Sequence, residues 1–163
     1  MVSPQNPLKS STGTAPFAER FARAQRLARH PCIRVTDIER RLATSYTVET
    51  LAYLRRCFPR IRFVWIMGAD NLAQVSRWQR WTRIFNLVPI AIFDRAPYSF
   101  DALSGKAAKA FQRFRLRQKD ARTLVDRRPP AWIFFHTRLH PASSTEIRTR
   151  RRRAVRAPVD AAT

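Results

Sequence analysis

Four groups of residues in this 163-residue chain have types and spacings that could do chemistry, two of them suited to holding negatively charged groups. Ser45-Tyr46-Thr47, with Glu49 and Thr50 behind it, stands where a helix is expected to open, and so does Ser143-Ser144-Thr145-Glu146-Ile147-Arg148. The first N–H groups of a helix have no intrahelical acceptor and lie at the positive end of its dipole, so they receive carboxylates and phosphates. Gly68-Ala69-Asp70 follows an apolar run, at the strand end where an open α/β sheet takes its ligand. Arg77-Trp78 comes just beyond it. The chemistry these groups suit is the binding and positioning of a nucleotide.

Each group also has a plainer reading. Ser45 at a helix start is a cap, and Glu49 in the first turn suits the dipole. Ser143 and Glu146 form a capping box, but a cap needs neither Ser144, Thr145 nor Arg148. That surplus of donors suits a polyphosphate. Gly68 lacks a Cβ and lets a ligand approach the backbone, and Asp70 can accept hydrogen bonds from ribose hydroxyls. Trp78, in a polar setting between Arg77 and Gln79, can stack a flat ring, whereas Trp65 and Trp81 read as core and anchor. Lys9 sits in the proline-bracketed loop Pro4-Gln5-Asn6-Pro7-Leu8-Lys9. His30, His136 and His140 lack ligand spacing, so no protein-held metal is expected.

The net charge of +21 calls for an anionic partner. The dense run Arg150 to Arg153 reads as a solvated face leading into a basic tail over residues 151–163. A nucleic-acid-binding protein is the competing class; it leaves the Ser/Thr clusters unexplained, and the chain lacks an aromatic platform of the RNA-binding kind. Cys32 and Cys57 are too few for a disulfide framework and are expected as thiols in a cytoplasm. The apolar runs at 63–67 and 87–93 are too short to span a bilayer. The N-terminus has no apolar signal-peptide region.

To position these residues the chain needs alternating helices and strands. The apolar stripe Phe17, Phe21, Ala24, Leu27 and Ala28 predicts a helix between Pro16 and Pro31. Residues 32–38 read as a half-buried strand, and a helix runs from Ser45 to about Cys57, halted by Pro59. Residues 61–67 read as a strand buried on both faces. Helices are expected at 69–75 and 81–87, a strand at 88–93, one amphipathic helix at 102–114, a short strand at 132–135 and a last helix from Thr145. Such alternation predicts a parallel sheet with right-handed crossovers. A chain of this type normally begins with a strand and a phosphate-binding turn; this one begins with a loop and a helix.

In this order the motifs closely resemble bacterial nicotinate-mononucleotide adenylyltransferases of the nucleotidyltransferase superfamily. The resemblance covers about residues 2–150, through the loop ending at Lys9, Ser45-Tyr46-Thr47 with Glu49-Thr50, Trp65 to Asp70, Arg77-Trp78, Asp94-Arg95, and Ser143-Ser144-Thr145 with Arg148. It implies a Rossmann-like α/β domain over residues 1–150 and transfer of an adenylyl group from ATP, with Mg²⁺, to nicotinate mononucleotide in NAD biosynthesis. It places Lys9, Tyr46, Thr47, Trp78 and Arg95 on the mononucleotide, and Gly68, Asp70, Ser144, Thr145 and Arg148 on ATP. The family's first strand ends in G-x-F-[DN]-P-x-H-x-G-H, whose histidines hold the ATP phosphates. That motif is absent here, so no catalytic residue is assigned. The expectation is a domain incomplete at its N-terminus, beginning near the end of the family's second strand, with a nucleotide-binding fragment of little or no activity as the alternative outcome.

Overall fold

The computed structural model describes residues 1–4, 15–95 and 98–137. Its centre is a four-stranded sheet of β1 (Trp65–Gly68), β2 (Ile90–Phe93), β3 (Arg115–Leu116) and β4 (Trp132–Phe135). The order is β1-β2-β4-β3, with every neighbouring pair parallel. The helices among the described residues are α1 (Phe17–Leu27), α2 (Ile38–Arg41), α3 (Thr47–Cys57), α4 (Ala69–Gln74), α5 (Trp81–Leu87), α6 (Ser99–Ser104) and α7 (Lys106–Ala110). This is the parallel α/β sheet expected from the alternation of patterns, and the Rossmann-like domain that the resemblance implies.

The two-residue period of a strand divides the core. On one face Ile90, Ile92, Trp132 and Phe134 pack with Leu51 of α3, Leu72 of α4, Phe85 of α5, Ala107 of α7 and Phe111. Phe85 and Phe111 stack with ring centroids 4.3 Å apart, and the Trp132 indole N–H donates to the Phe111 carbonyl at 2.8 Å. On the other face Ala91 and Ile133 meet Leu124 and Ala131. Leu124 belongs to a 3₁₀ helix, Gln118–Asp126.

Three expectations fail, each for a local reason. Residues 32–38 form no strand. Apart from the Val2 N–H bonded to the Thr36 carbonyl at 3.0 Å, the segment has no ladder partner among the described residues, and Ile38 turns into α2. The strand expected at 61–67 is confined to Trp65–Gly68 and is not buried on both faces, since Ile66 is 64% exposed. Among the described residues β1 has β2 as its only strand partner. The single helix expected at 102–114 is broken at Gly105, which is extended at ψ 162° and separates α6 from α7. A β-carbon there would stand 3.0 Å from the Asp101 carbonyl oxygen. β3 and the Gln118–Asp126 helix are additions that the apolar pattern does not announce.

The helix near the N-terminus has its expected span but buries none of its residues, and Leu27 is 73% exposed. Leu27 and Ile66 thus expose apolar side chains, and among the described residues β1 has no strand on its outer side, features that promote association. The chain should therefore self-associate with rising concentration, and Ile66→Lys should raise the monomer fraction. Sedimentation velocity reads this directly; a wild-type monomer across a wide concentration range would contradict it. No helix among the described residues is long and apolar enough to cross a membrane.

Candidate functional site

The strand register sets the site. Gly68 aligns with Phe93 and Phe93 with Phe135, so β1, β2 and β4 end in line. The residues that follow, Asp70, Asp94-Arg95 and His136, emerge along one edge of the sheet. Open parallel sheets bind ligands at this carboxyl edge.

Asp70 lies in the first turn of α4. One carboxylate oxygen, Oδ2, faces the Arg95 guanidinium at 3.5 Å. The other, Oδ1, is buried and has no hydrogen-bond partner among the described residues. A buried acceptor without a donor is costly, on the order of 1–3 kcal/mol, and a ligand hydroxyl would relieve that cost. Gly68 belongs to the same packing, because a β-carbon at that position would displace the Asp70 carboxylate from where it stands. Three residues expected at the site, Gly68, Asp70 and Arg95, are thus in one place.

Beside them lies a cluster that the motifs do not reveal. The Asp94 carboxylate is 8% exposed; it accepts from Ser99 Oγ and stands 3.6 Å from His136 Nδ1. The His136 backbone N–H donates to Gln118 Oε1 at 3.1 Å. Ser99 reaches Asp94 across a local turn, whereas His136 is distant in sequence and reaches it only because β2 and β4 are paired.

The helix expected to open with Ser45-Tyr46-Thr47 begins at Thr47, with Tyr46 as an extended N-cap residue and no side-chain cap. The Tyr46 N–H is already used, donating to Thr44 Oγ1 at 3.1 Å. The donors left without an acceptor are those of Thr47 and Val48, which need an external partner. Trp78 ends the 3₁₀ turn Val75–Arg77 and is half-buried against the main core. Trp81 meets Phe85 and Phe111 edge-on, the anchoring role its sequence suggests. Trp65 is half-buried against the same core, with its indole N–H unpartnered. α3 packs on α5, and one groove is lined by Thr44, Val48 and Glu49 together with Arg80 and Arg83. The start of α3 therefore adjoins the segment that carries Trp78. Lys9, Ser144, Thr145, Arg148 and the arginine run at 150–153 lie outside the described residues.

Among the described residues no group of three or more His, Cys, Asp or Glu side chains converges to hold a metal. Both cysteines are free and exposed.

Comparison with known proteins bears on this edge. A family model described as cytidylyltransferase-like matches residues 1–150. A protein named "Probable nicotinate-nucleotide adenylyltransferase" from Bradyrhizobium sp. (strain ORS 278) is 48% identical over 148 residues, covering 91% of this chain and 77% of its own length. A protein of the same name from Methylorubrum extorquens (strain PA1) is 45% identical over 150 residues, covering 92% of this chain and 81% of its own. One from Parvibaculum lavamentivorans is 48% identical over 150 residues. With a parallel sheet, a nucleotide-type carboxyl edge and relatives this similar over most of its length, the chain belongs to the cytidylyltransferase-like family and, within it, to the nicotinate-nucleotide adenylyltransferases.

Proposed function

We propose that the chain works at this edge as an adenylyltransferase, joining ATP and nicotinate mononucleotide in the cytoplasm. A phosphate oxygen of the mononucleotide attacks the α-phosphorus of ATP, the bond from that phosphorus to the β-phosphate bridge breaks, and pyrophosphate leaves. The product is nicotinate adenine dinucleotide, and no covalent protein intermediate is required. The protein's contribution is to position two anions and counter the charge between them. Mg²⁺ enters as part of the ATP substrate, with phosphate oxygens and water as ligands, and neutralises phosphate charge.

The observation that carries this reading is the unpartnered Asp70 Oδ1, buried at the strand end beside Gly68 and Arg95. An acceptor of that kind fits a ribose hydroxyl. Arg95, held by the second oxygen of the same carboxylate, is available to a phosphate. The free N–H groups of Thr47 and Val48 fit the nicotinate carboxylate, and Trp78 fits its ring. Lys9, Ser144, Thr145 and Arg148 complete the proposed set, the last three on the ATP phosphates.

Following pyrophosphate release from ATP and nicotinate mononucleotide tests the function. Asp70→Asn removes the charge that accepts from ribose and restrains Arg95, so kcat/KM should fall about tenfold. Absence of turnover in the wild type, with ATP still bound by calorimetry, would favour a binding fragment without catalysis. Unchanged kinetics in Asp70→Asn would remove Asp70 from the site.

A further inference from the structure

The groove between α3 and the start of α5 has features the dinucleotide reaction does not use. It encloses about 350 Å³ and is bordered by three guanidiniums, those of Arg56, Arg80 and Arg83. None of the three is in an ion pair among the described residues. The one carboxylate on the groove, that of Glu49, is engaged by the Thr44 hydroxyl. Three guanidiniums thus share one concave place with a single carboxylate, which leaves an excess of positive charge there.

The backbone around it is strained. Among the described residues the non-glycine positions with positive φ are Ala43 at 49° and Arg80 at 48°. Arg80 lines the groove, and Ala43 lies between Leu42 and Thr44, which also line it. A left-handed conformation at a residue with a side chain costs on the order of 1 kcal/mol or more, and such positions gather at ligand sites. At Arg80 the cost accompanies placement of a guanidinium on the groove wall.

The opposite wall is formed by α3, where the buried Val48 and the half-buried Ala52 and Tyr53 lie about one turn apart. Arg56 lies over the Tyr53 ring, 5.8 Å from its centroid. The neighbouring Cys57 side chain pushes the Tyr53 phenol above its ordinary value.

We propose that this groove binds a small phosphate monoester, with the phosphate held by Arg80 and Arg83 and the organic body against Val48, Ala52 and Tyr53. The chemistry is that of a monoester because guanidiniums fork onto phosphate oxygens while the other wall is largely apolar. The enclosed volume suits a small molecule. The site is separate from the carboxyl edge of the sheet: neither Asp70, Arg95, Thr47 nor Trp78 lines it. It touches the mononucleotide region through Thr44, whose hydroxyl binds both Glu49 and the Tyr46 amide.

Calorimetric titration of the full chain with ribose 5-phosphate tests this, with ribose as the control. Saturable binding of the phosphate and none of ribose is expected. Arg83→Gln, at an exposed position, should weaken binding about tenfold or more. Arg80→Gly, which suits the left-handed backbone, should do the same without adding strain. Trp78→Ala should leave the affinity unchanged. Equal affinity in wild type and both arginine variants would overturn the site, as would loss of binding in Trp78→Ala alone. Binding of a duplex oligonucleotide through these arginines, with none of ribose 5-phosphate, would overturn it too.

Discussion

Replacing Thr47 by proline should reduce kcat/KM for nicotinate mononucleotide by up to about 100-fold while slowing nicotinamide mononucleotide far less. The reason lies in the cap of α3. Thr47 is the first helical residue, where proline is tolerated because its missing N–H would be unpaired within the helix anyway. Tyr46 before it is already extended, at φ −103° and ψ 117°, which is what a following proline requires. The substitution thus removes one outward N–H and leaves the helix in place. A hydrogen bond to a charged group is worth about 1.5–3 kcal/mol, equivalent to about 10–100-fold. The neutral amide forms a weaker bond there and loses less. Trp78→Ala should instead weaken both substrates alike, since stacking acts on the ring. An equal loss for acid and amide in Thr47→Pro would move the carboxylate away from α3.

The second large effect is on stability. Phe85→Ala should destabilise the chain by about 3–5 kcal/mol, the range for large aromatic truncations in a packed core. Phe85 is fully buried, stacks on Phe111 and receives the edge of Trp81. Its loss opens a cavity under α5 at the point where that helix meets α7 and the sheet. Chemical denaturation gives the value from the midpoint at constant slope. A loss below ~1 kcal/mol would mean that the surrounding rings collapse into the space.

The architecture was legible where an element's apolar residues are covered, on one face as in α5 or on both as in β4. Residues 81–87 and 132–135 match α5 and β4 because their apolar residues face a core. Legibility failed where burial depends on a neighbour. Residues 32–38 have the alternation of a strand and no ladder, and Ile66 has the composition of a doubly covered strand and an open face. Gly105 shows a different limit: the apolar register runs through it unchanged, but the backbone does not. At the candidate site the strand-end rule brought Gly68 to Asp70, and the match to a known family added Arg95. Asp94 was named with Arg95, but its partners were not: Ser99 meets it across a local turn, and His136 reaches it only through the pairing of β2 with β4. Thr44 was missed for a similar reason. It lies just outside the helix motif, and its hydroxyl takes the Tyr46 amide.

The all-parallel register also governs how the chain reaches this state. No two strands are joined by a hairpin: position 65 pairs with 90, 115 with 132, and 90 with 132. Every ladder must close a long loop before any of its hydrogen bonds form, and the central pair, β2 with β4, must close the longest. Topologies with such distant contacts fold slowly compared with helical bundles of similar size. The β1–β2 pair has a shorter loop to close and can form before β4 arrives. In that interval β2 has its own free side, apolar at Ile90 and Ile92, in addition to the outer side of β1. Recovery of the native chain from denaturant is therefore a race between ring closure within one molecule and encounter between two, and dilution favours the first.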